Sequence, residues 1–275
     1  MARPIVAFAR RAALRSIRIA IVPGTATLPD SQIIADQIAY YRARAAEYDE
    51  WWFRAGRYDR GAQWNAEWFA DVAIVEASLI AFLDAQRPQR VLEIACGTGL
   101  FTRHLASRAA HVTAVDASPE VIACNRARVT QKNVAYVVAD IFEWTPPARY
   151  DLAFMSFWLS HVPLERFDAF WSLVRRALAP GGSAYVIDSV LDTMSTARDH
   201  AAPDAQSGIV TRKLNDGRQY RIVKIFHDPA ALTRRLADIG FDATIERTPR
   251  YFIHGKVTCH PERSEGPVSR GGVQR

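Results

Sequence analysis

Residues 91–99 read V-L-E-I-A-C-G-T-G, and this stretch decides the fold of the chain. The apolar residues at its start predict a short buried strand, and Gly97 and Gly99 predict a turn that is too tight for side chains. A helix is predicted to begin at residues 100–102, so its free backbone N–H groups would face a ligand at the turn. This order of strand, glycine turn and helix is typical of sites for nucleotide-type ligands.

Strand and helix patterns alternate on the C-terminal side of this turn. Ser118 is the predicted N-cap of one helix, and Pro180-Gly181-Gly182 is expected to end another. Repeated strand–helix units predict a doubly wound α/β sheet with right-handed crossovers. The predicted strands are residues 91–95, 111–115, 134–139, 151–156 and 184–188, and the predicted helices are residues 101–108, 118–130 and 164–179.

The residues that follow predict a smaller set of elements. A surface loop at residues 193–208 and a hairpin around Asn215-Asp216-Gly217 form an expected insertion at residues 192–226. Asp228-Pro229 caps a helix that ends at Gly240. Two closing strands are predicted at residues 241–247 and 251–256. The insertion either shapes a pocket or pairs with another subunit, and the sequence leaves both alternatives open.

An aromatic-rich region precedes the first strand. Residues 31–88 predict helices, one that begins at Ser31 and one at residues 72–85, with apolar side chains at helical spacing. Residues 48–69 contain several tryptophans, tyrosines and phenylalanines. These aromatic side chains pack on the core, or they form a helical lid that covers a ligand and excludes water. Both interpretations can hold together.

Composition and charge limit the classes of function. With 49% hydrophobic and 23% charged residues in a chain of 275, a single core of ordinary size is expected, and no apolar run is long enough for a membrane span. Residues 1–29 carry five arginines and no acid, and residues 257–275 carry one net positive charge, so the charge of +6 lies outside residues 30–256. We therefore expect no nucleic-acid partner.

The two ends are interpreted as additions to one domain at residues 31–256. Residues 1–30 are a basic targeting peptide or a disordered extension, and we favour the extension because nothing else in the chain needs export. Residues 257–275 have almost no apolar content and are expected to form a disordered tail. The three cysteines have neither paired spacing nor companion histidines, so we expect reduced cytoplasmic thiols and no metal site.

Three acids stand where a nucleoside would lie. Asp116 ends the second strand, 19 residues after Gly97, where a carboxylate accepts hydrogen bonds from both ribose hydroxyls. Asp140 ends the third strand, where it accepts from the exocyclic amine of adenine. Glu93 would repel a pyrophosphate but can orient the positive amino-acid end of a sulfonium nucleoside. Each acid alone is as well explained as a helix cap or surface charge, but together with the glycine turn they favour ligand binding.

With these residues in place, residues 32–256 resemble the class I S-adenosylmethionine-dependent methyltransferases, of the type with a small-molecule-like methyltransferase domain. The resemblance implies a Rossmann-like sheet of seven strands whose last strand is antiparallel and inserted beside the sixth. One departure is Ala95, which occupies the first position of the usual G-x-G-x-G. The matching residues are 93–99, Asp116, Asp140, the strand start Tyr150-Asp151-Leu152 and residues 178–182, which read L-A-P-G-G.

The resemblance also implies the cofactor, S-adenosylmethionine (SAM), and its contacts. Gly97 and Gly99 approach its methionine part, Asp116 its ribose, and Asp140 with Ile141 its adenine. The complete predicted set of cofactor-binding residues is Glu93, Ala95, Gly97, Gly99, Asp116, Asp140, Ile141 and Phe157.

In the resembling enzymes the acceptor lies near the end of the fourth strand, here residues 156–163, S-F-W-L-S-H-V-P. Methyl transfer is an in-line displacement, so the protein chiefly aligns the acceptor, the methyl group and the sulfur and excludes water. His161 is the candidate catalytic residue, as a base for an acceptor that must lose a proton. The alternative is that His161 caps the following helix or bonds the backbone near the cofactor.

The predicted function is transfer of a methyl group from SAM to a small, partly apolar acceptor, with the oligomeric state left open. A nicotinamide-dependent oxidoreductase on a similar sheet is a first alternative. Thr102 stands at the third glycine of G-x-G-x-x-G and Glu93 lies where the pyrophosphate would go, so both residues disfavour it. A non-catalytic SAM-binding module is a second alternative, and the intact set of cofactor-side residues argues against it.

Overall fold

The computed structural model describes residues 30–200 and 208–260, so residues 1–29 and 261–275 of the predicted extension and tail lie outside it. The helices of these ranges are α1 (Asp30–Arg44), α2 (Glu50–Phe53), α3 (Ala62–Gln86), α4 (Thr102–Ala106), α5 (Pro119–Arg128), α6 (Phe167–Ala177) and α7 (Pro229–Asp238). The strands are β1 (Arg90–Ile94), β2 (His111–Asp116), β3 (Val134–Val138), β4 (Tyr150–Ser156), β5 (Leu178–Ser189), β6 (Ile209–Lys213), β7 (Gln219–Val223), β8 (Phe241–Arg247) and β9 (Phe252–Cys259).

Seven strands form one mixed sheet in the order β3-β2-β1-β4-β5-β9-β8. The strands β1 to β5 pair in parallel, whereas β9 is inserted antiparallel between β5 and β8. The predicted doubly wound, Rossmann-like sheet of seven strands with an antiparallel last strand is therefore confirmed. The strand order reverses between β1 and β4, and in open α/β sheets the carboxyl ends of the strands at that point border the ligand crevice.

Helices cover both faces of the sheet and bury two hydrophobic clusters. On one face, α6 and α7 contribute side chains such as Trp171 and Leu236, each fully buried. On the other face, α3 contributes Trp68, Val75 and Leu79, which are equally buried. The sheet is thus fixed between two packed layers, and its carboxyl edge is the part left for a site.

Two helix starts match the sequence prediction. Ser118 Oγ accepts a hydrogen bond from Val121 N, and Asp228 Oδ1 accepts one from Ala231 N, in each case just before a proline at the start of the helix. The two caps fix where α5 and α7 begin.

Several predicted boundaries differ from the structure. The helix predicted at residues 72–85 begins at Ala62, so the second half of the aromatic stretch belongs to α3 and packs on the sheet. Pro180-Gly181-Gly182, expected to end α6, lies within β5, where the pairing with β4 shifts register. The last strand continues to Cys259, three residues past its predicted end, because β5 and β8 both offer it partners there.

The insertion packs on the N-terminal helix. The hairpin of β6 and β7 forms a small hydrophobic cluster with Tyr40 of α1, through Val210, Leu214 and Ile222. Residues 193–200, predicted as part of a surface loop, are partly buried, since Trp51 Nε1 donates to the Ser195 carbonyl oxygen at 2.7 Å. Both parts of the insertion therefore belong to the same layer as α1, above the carboxyl edge of the sheet.

Gly255 marks the tightest contact in the sheet. It pairs with Val186 on one side and Ile245 on the other, and a Cβ at this position would lie 2.0 Å from the Thr244 carbonyl oxygen. We expect Gly255→Ala to lower the free energy of unfolding by about 1–3 kcal/mol or more, as overpacking does. Chemical denaturation of both proteins measures this.

Gly217→Ala is the control, because Gly217, unlike Gly255, has a positive φ (+91°), and it has open space around its Cβ. It should cost only the conformational penalty of about 1 kcal/mol. Equal costs in the two variants would show that the close approach of β8 and β9 is not what requires glycine at position 255.

Candidate active site

The glycine turn follows β1 at the carboxyl edge of the sheet. Gly97 (φ +57°) and Gly99 (φ +88°) have left-handed conformations, and a Cβ at Gly99 would lie 2.6 Å from Asn125 Oδ1. Ala95 also has a left-handed φ of +53°. This position therefore favours glycine, and the alanine carries backbone strain of about 1 kcal/mol.

Asp116 joins this turn to the next strand–helix unit. Its Oδ2 accepts a hydrogen bond from Gly97 N (3.1 Å) and its Oδ1 accepts one from Ser118 N (3.0 Å). Burial raises the pKa of Asp116, and these backbone N–H groups oppose the rise. The carboxylate is therefore fixed in orientation at the point where β1 and β2 both end.

A cavity lies beside the turn, and we call it the turn cavity. Its empty volume, which includes space open to solvent, is about 720 Å³. Asp140 also faces it, with Oδ1 accepting a hydrogen bond from Phe142 N at 3.0 Å. Among the described residues that line the turn cavity, the acids are Asp116 and Asp140, and none is a lysine or an arginine. The cavity therefore suits a cationic ligand. The predicted cofactor-binding residues on its wall are Ala95, Gly97, Asp116, Asp140, Ile141 and Phe157.

The two other predicted residues, Glu93 and Gly99, do not line the turn cavity. Glu93 is only 1% exposed, and its Oε2 has no hydrogen-bond partner. Burial raises the pKa of Glu93 to about 8, against a hydrogen bond with Thr102 that lowers it, and nearby Asp116 adds a smaller rise. At neutral pH Glu93 is therefore mostly protonated, with one buried oxygen lacking a partner.

The N-terminal segment closes the turn cavity from above, through side chains such as Gln37, Tyr41 and Tyr48. Asp49 ties this segment to the turn, since its Oδ1 accepts a hydrogen bond from Thr98 Oγ1 at 2.5 Å and its Oδ2 accepts one from Arg128.

The aromatic stretch at residues 48–69 divides between the two roles predicted for it. Tyr48 and Trp51 line cavities, whereas Trp52 and Trp68 lie in the core, and Phe53 and Phe69 are exposed.

A second cavity, which we call the basic cavity, lies between α1, the hairpin and residues 189–200. Its empty volume is about 1160 Å³. Asp192 is the one acidic residue among the described residues that line the basic cavity, and it pairs with Arg250 at 2.7 Å. The cations that line it are Arg44, Arg60, Arg198, Arg212 and Lys224. The excess of positive charge suits an anionic ligand.

Two of these cations show how the basic cavity is built. Arg44 donates from Nη2 to Tyr58 Oη at 3.2 Å, while its buried Nε has no hydrogen-bond partner. Lys224 Nζ donates to Ser160 Oγ (2.8 Å) and Ser189 Oγ (2.7 Å) and lies 3.7 Å from Asp188. Burial lowers the pKa of Lys224 to about 8, and Asp188 opposes this fall. Arg44 is thus a buried donor that still needs an acceptor.

The two cavities share a wall. Four described side chains line both of them, namely Tyr41, Tyr48, Phe157 and His161. A group that passes from a ligand in one cavity to a ligand in the other must do so beside these four residues.

His161, the predicted candidate base, is almost fully buried, at 5% exposure. Its Nδ1 lies 2.6 Å from the Val223 carbonyl oxygen and its Nε2 lies 2.8 Å from Tyr41 Oη. Burial and nearby Lys224 hold the pKa of His161 well below its usual range. The ring is therefore neutral, and both nitrogens already have partners.

Sequence reasoning did not identify Tyr41, Arg44 or Lys224 as site residues. Tyr41 was visible only as one apolar position of the first helix, and Arg44 follows it by a turn without any motif. Lys224 follows the second strand of the hairpin. These residues meet only because the hairpin folds back onto α1, and that long-range contact has no local signal.

Comparisons with known proteins agree with this fold. The family described as "Methyltransferase domain" matches residues 91–182. A trans-aconitate 2-methyltransferase of Streptomyces avermitilis is 30% identical over 210 residues, which are 73% of this chain and 73% of that protein. A solved structure described as "DhpI-SAH complex structure" is 35% identical with a TM-score of 0.68, and covers 85% of this chain and 100% of its own. Another, "DhpI-SAM-HEP complex", is 36% identical with a TM-score of 0.64, and covers 82% of this chain and 97% of its own.

The chain belongs to the class I SAM-dependent methyltransferases. It is an enzyme that uses SAM to methylate a small-molecule acceptor, so the oxidoreductase and the non-catalytic module are not favoured. The turn cavity fits SAM, because the fixed carboxylates of Asp116 and Asp140 line it without a described lysine or arginine, which suits a cofactor of net positive charge. None of the helices in residues 30–200 and 208–260 has the length and apolar content to cross a bilayer.

Glu93 gives a prediction for cofactor binding. If the cationic amino group of the cofactor approaches its orphan oxygen, the pKa of Glu93 falls from about 8 and binding near pH 7 releases up to about one proton. The release should fall to about half near pH 8 and vanish about two pH units higher, where the free carboxyl is already ionised. Calorimetric titration with S-adenosylhomocysteine (SAH) at pH 7, in two buffers of different ionisation enthalpy, measures the number of protons.

Glu93→Gln is the control for this experiment, since it keeps the shape of the side chain and cannot ionise. It should bind SAH without proton release. Equal proton release from the variant and the unchanged protein would assign the proton to another group.

Proposed function

We propose that this enzyme transfers the methyl group of SAM to an oxygen of a small organic acid that binds as an anion in the basic cavity. The observation that carries this proposal is the opposite charge of the two cavities on either side of one shared wall. Coulomb attraction favours a cationic cofactor near Asp116 and Asp140 and an anionic acceptor near Arg44 and Lys224, and it disfavours the reverse.

On the cofactor side, we propose the roles inferred from the sequence for Gly97, Asp116, Asp140 and Ile141, and we add roles for Ala95 and Phe157. Gly97 and Ala95 leave room for the methionine part, Asp116 accepts hydrogen bonds from the ribose, and Asp140 with Ile141 contacts the adenine. Phe157, at the shared wall, contacts the sulfur end. Gly99 and Glu93 act from outside the cavity, Gly99 by allowing the turn to pack on Asn125. When bound, SAM supplies an electrophilic methyl group on a positively charged sulfur.

On the acceptor side, the basic cavity offers both charge and apolar surface. Arg44 has a buried Nε that can donate to an acid group, and Arg212 and Lys224 add positive charge. Aromatic side chains, among them Tyr40, Trp51 and Phe226, line the same cavity. The acceptor we propose is therefore an acid with a partly apolar body. That a relative 30% identical to this chain is named for trans-aconitate, itself an organic acid, supports the proposal.

This acceptor does not require a general base. Carboxylic acids ionise with pKa values near 4, so the attacking oxygen has already lost its proton at neutral pH. The protein then contributes alignment of the acceptor and exclusion of water by the aromatic side chains of the shared wall. Transfer from a cation to an anion removes both charges, and a cavity poor in water favours a step that consumes charge.

The proposal is tested by methylation assays with matched pairs of acceptors, an acid and its neutral amide of the same shape, with product detection by mass spectrometry. We expect methyl esters from one or more acids and no product from the amides. Arg44→Met should raise the acceptor KM by about 10- to 100-fold, since a hydrogen bond to a charged group contributes about 1.5–3 kcal/mol.

Arg42→Met is the matched control on the same helix, because Arg42 lies outside both cavities and forms an exposed pair with Glu120. It should leave the acceptor KM unchanged. Equal use of acids and amides, or equal effects of the two arginine variants, would contradict an anionic acceptor. The cytoplasmic location and the lack of a nucleic-acid partner stay predictions from the sequence.

A further inference from the structure

His161 lies in a hydrogen-bond arrangement whose direction can be worked out. The Val223 carbonyl oxygen can only accept, so Nδ1 of His161 carries the hydrogen at this 2.6 Å contact. Because the ring is neutral, Nε2 has a lone pair and no hydrogen. At the 2.8 Å contact with Tyr41, the tyrosine hydroxyl is therefore the donor and His161 Nε2 is the acceptor.

The same elements are held together by Gln37, one helical turn before Tyr41 on α1. Its Nε2 donates to the His161 carbonyl oxygen at 3.2 Å, and its Oε1 accepts from Val223 N at 3.2 Å. Gln37 and His161 are both buried. The backbone around His161, the end of β7 and the face of α1 that carries Tyr41 are thus fixed relative to one another.

The charges around His161 keep it in this neutral state. Lys224, Arg212 and Arg44 all act to lower its pKa, and the carbonyl of Val223 is the group that opposes them. Tyr41 also stays neutral, because burial and the neighbouring Tyr48 and Tyr40 raise its pKa well above 10. Because both groups are neutral, the Tyr41 hydroxyl hydrogen points to the lone pair of His161 Nε2.

The Tyr41 hydroxyl group consequently has a fixed hydrogen-bond direction at the shared wall. Its hydrogen points to His161, so its oxygen can only accept towards the cavities. We infer that the Tyr41 hydroxyl oxygen is a contact for the positively charged sulfur–methyl end of SAM, and that His161 is a positioning residue that holds the Tyr41 hydrogen away from it. The inference rests on the proposed function only in placing the reacting ends of both ligands at the shared wall.

This arrangement has a consequence for turnover. An oxygen that presents negative charge favours the cationic SAM over the neutral thioether SAH, so it helps the product cofactor to be exchanged for new substrate. His161 would contribute to this effect without accepting a proton from the acceptor.

The test is the ratio of the Kd values for SAH and SAM, measured by calorimetry on the full chain, which needs no acceptor. Tyr41→Phe should weaken SAM binding by about 3- to 10-fold and change SAH binding by less than about 2-fold. His161→Asn, which can keep the contact with Val223 but offers no acceptor to Tyr41, should have the same effect. His161→Gln, whose amide oxygen can accept from Tyr41, should keep the ratio within about 2-fold of the unchanged protein.

Tyr220→Phe is the control for the loss of a tyrosine hydroxyl, because Tyr220 lies on the hairpin outside both cavities. It should leave the ratio unchanged. The double variant of Tyr41→Phe and His161→Asn should be no worse than either single one, since the two residues act on one contact. Additive losses would overturn the inference.

Other outcomes separate the possible roles of His161. Equal weakening of SAM and SAH in His161→Asn, with a lower melting temperature, would make the residue merely structural and overturn the inference. The inference would also be overturned if Tyr41→Phe left the ratio unchanged and kcat rose with pH through a single ionisation that is absent from both His161 variants. That result would make His161 a base. If the ratios follow our expectation while no acid is methylated, the inference stands and the proposed acceptor fails.

Discussion

The Asp116 carboxylate is the point on which the site depends. By accepting hydrogen bonds from Gly97 and Ser118 at once, it fixes the end of β2 to the turn after β1 and to the start of α5. A partly buried acid held by two backbone N–H groups is restrained from rotating away, so the acidic side of the turn cavity is present before any ligand binds. The glycines allow this close approach, since a Cβ at Gly99 would collide with Asn125.

Above this rigid edge, a second layer built from α1, the hairpin and residues 189–200 supplies the opposite charge. Tyr40 and the hairpin side chains form its own small hydrophobic cluster, and Asp49 ties it to the turn through Thr98 and Arg128. One rigid sheet thus provides the acids, and the attached layer provides the cations. On the proposed function, this separation of charge lets a single chain bring a cationic cofactor and an anionic acceptor into contact without exchanging their places.

The sheet and the cofactor side of the site were predictable because their signals are local. Strand ends, the glycine turn and the caps at Ser118 and Asp228 each follow from a few consecutive residues. The basic cavity was not predictable, because Arg44 and Lys224 are 180 residues apart in the chain and neither belongs to a motif. The prediction for Pro180-Gly181-Gly182 was wrong for a related reason. Proline and glycine indicate an irregular backbone, but only the pairing with β4 makes this irregularity a shift of register within β5.

His161 shows the limit of assigning chemistry by residue type. Its ordinary pKa suggested a base, and that role stays a prediction. Burial, three nearby cations and two hydrogen-bond partners keep its ring neutral and in a fixed orientation. The environment, which depends on contacts with α1 and β7, determines what this imidazole can do. The sequence placed it correctly near the fourth strand but could not show what surrounds it.

The most direct test of the separation of charge is a crystal structure of the enzyme with SAH and a methylatable acid bound together. We predict SAH in the turn cavity with its ribose on Asp116, and the acid group of the acceptor in the basic cavity within hydrogen-bond distance of Arg44, with its reacting oxygen facing the SAH sulfur across Tyr41 and Phe157. An acid bound on the Asp116 side, or outside the basic cavity altogether, would contradict the account.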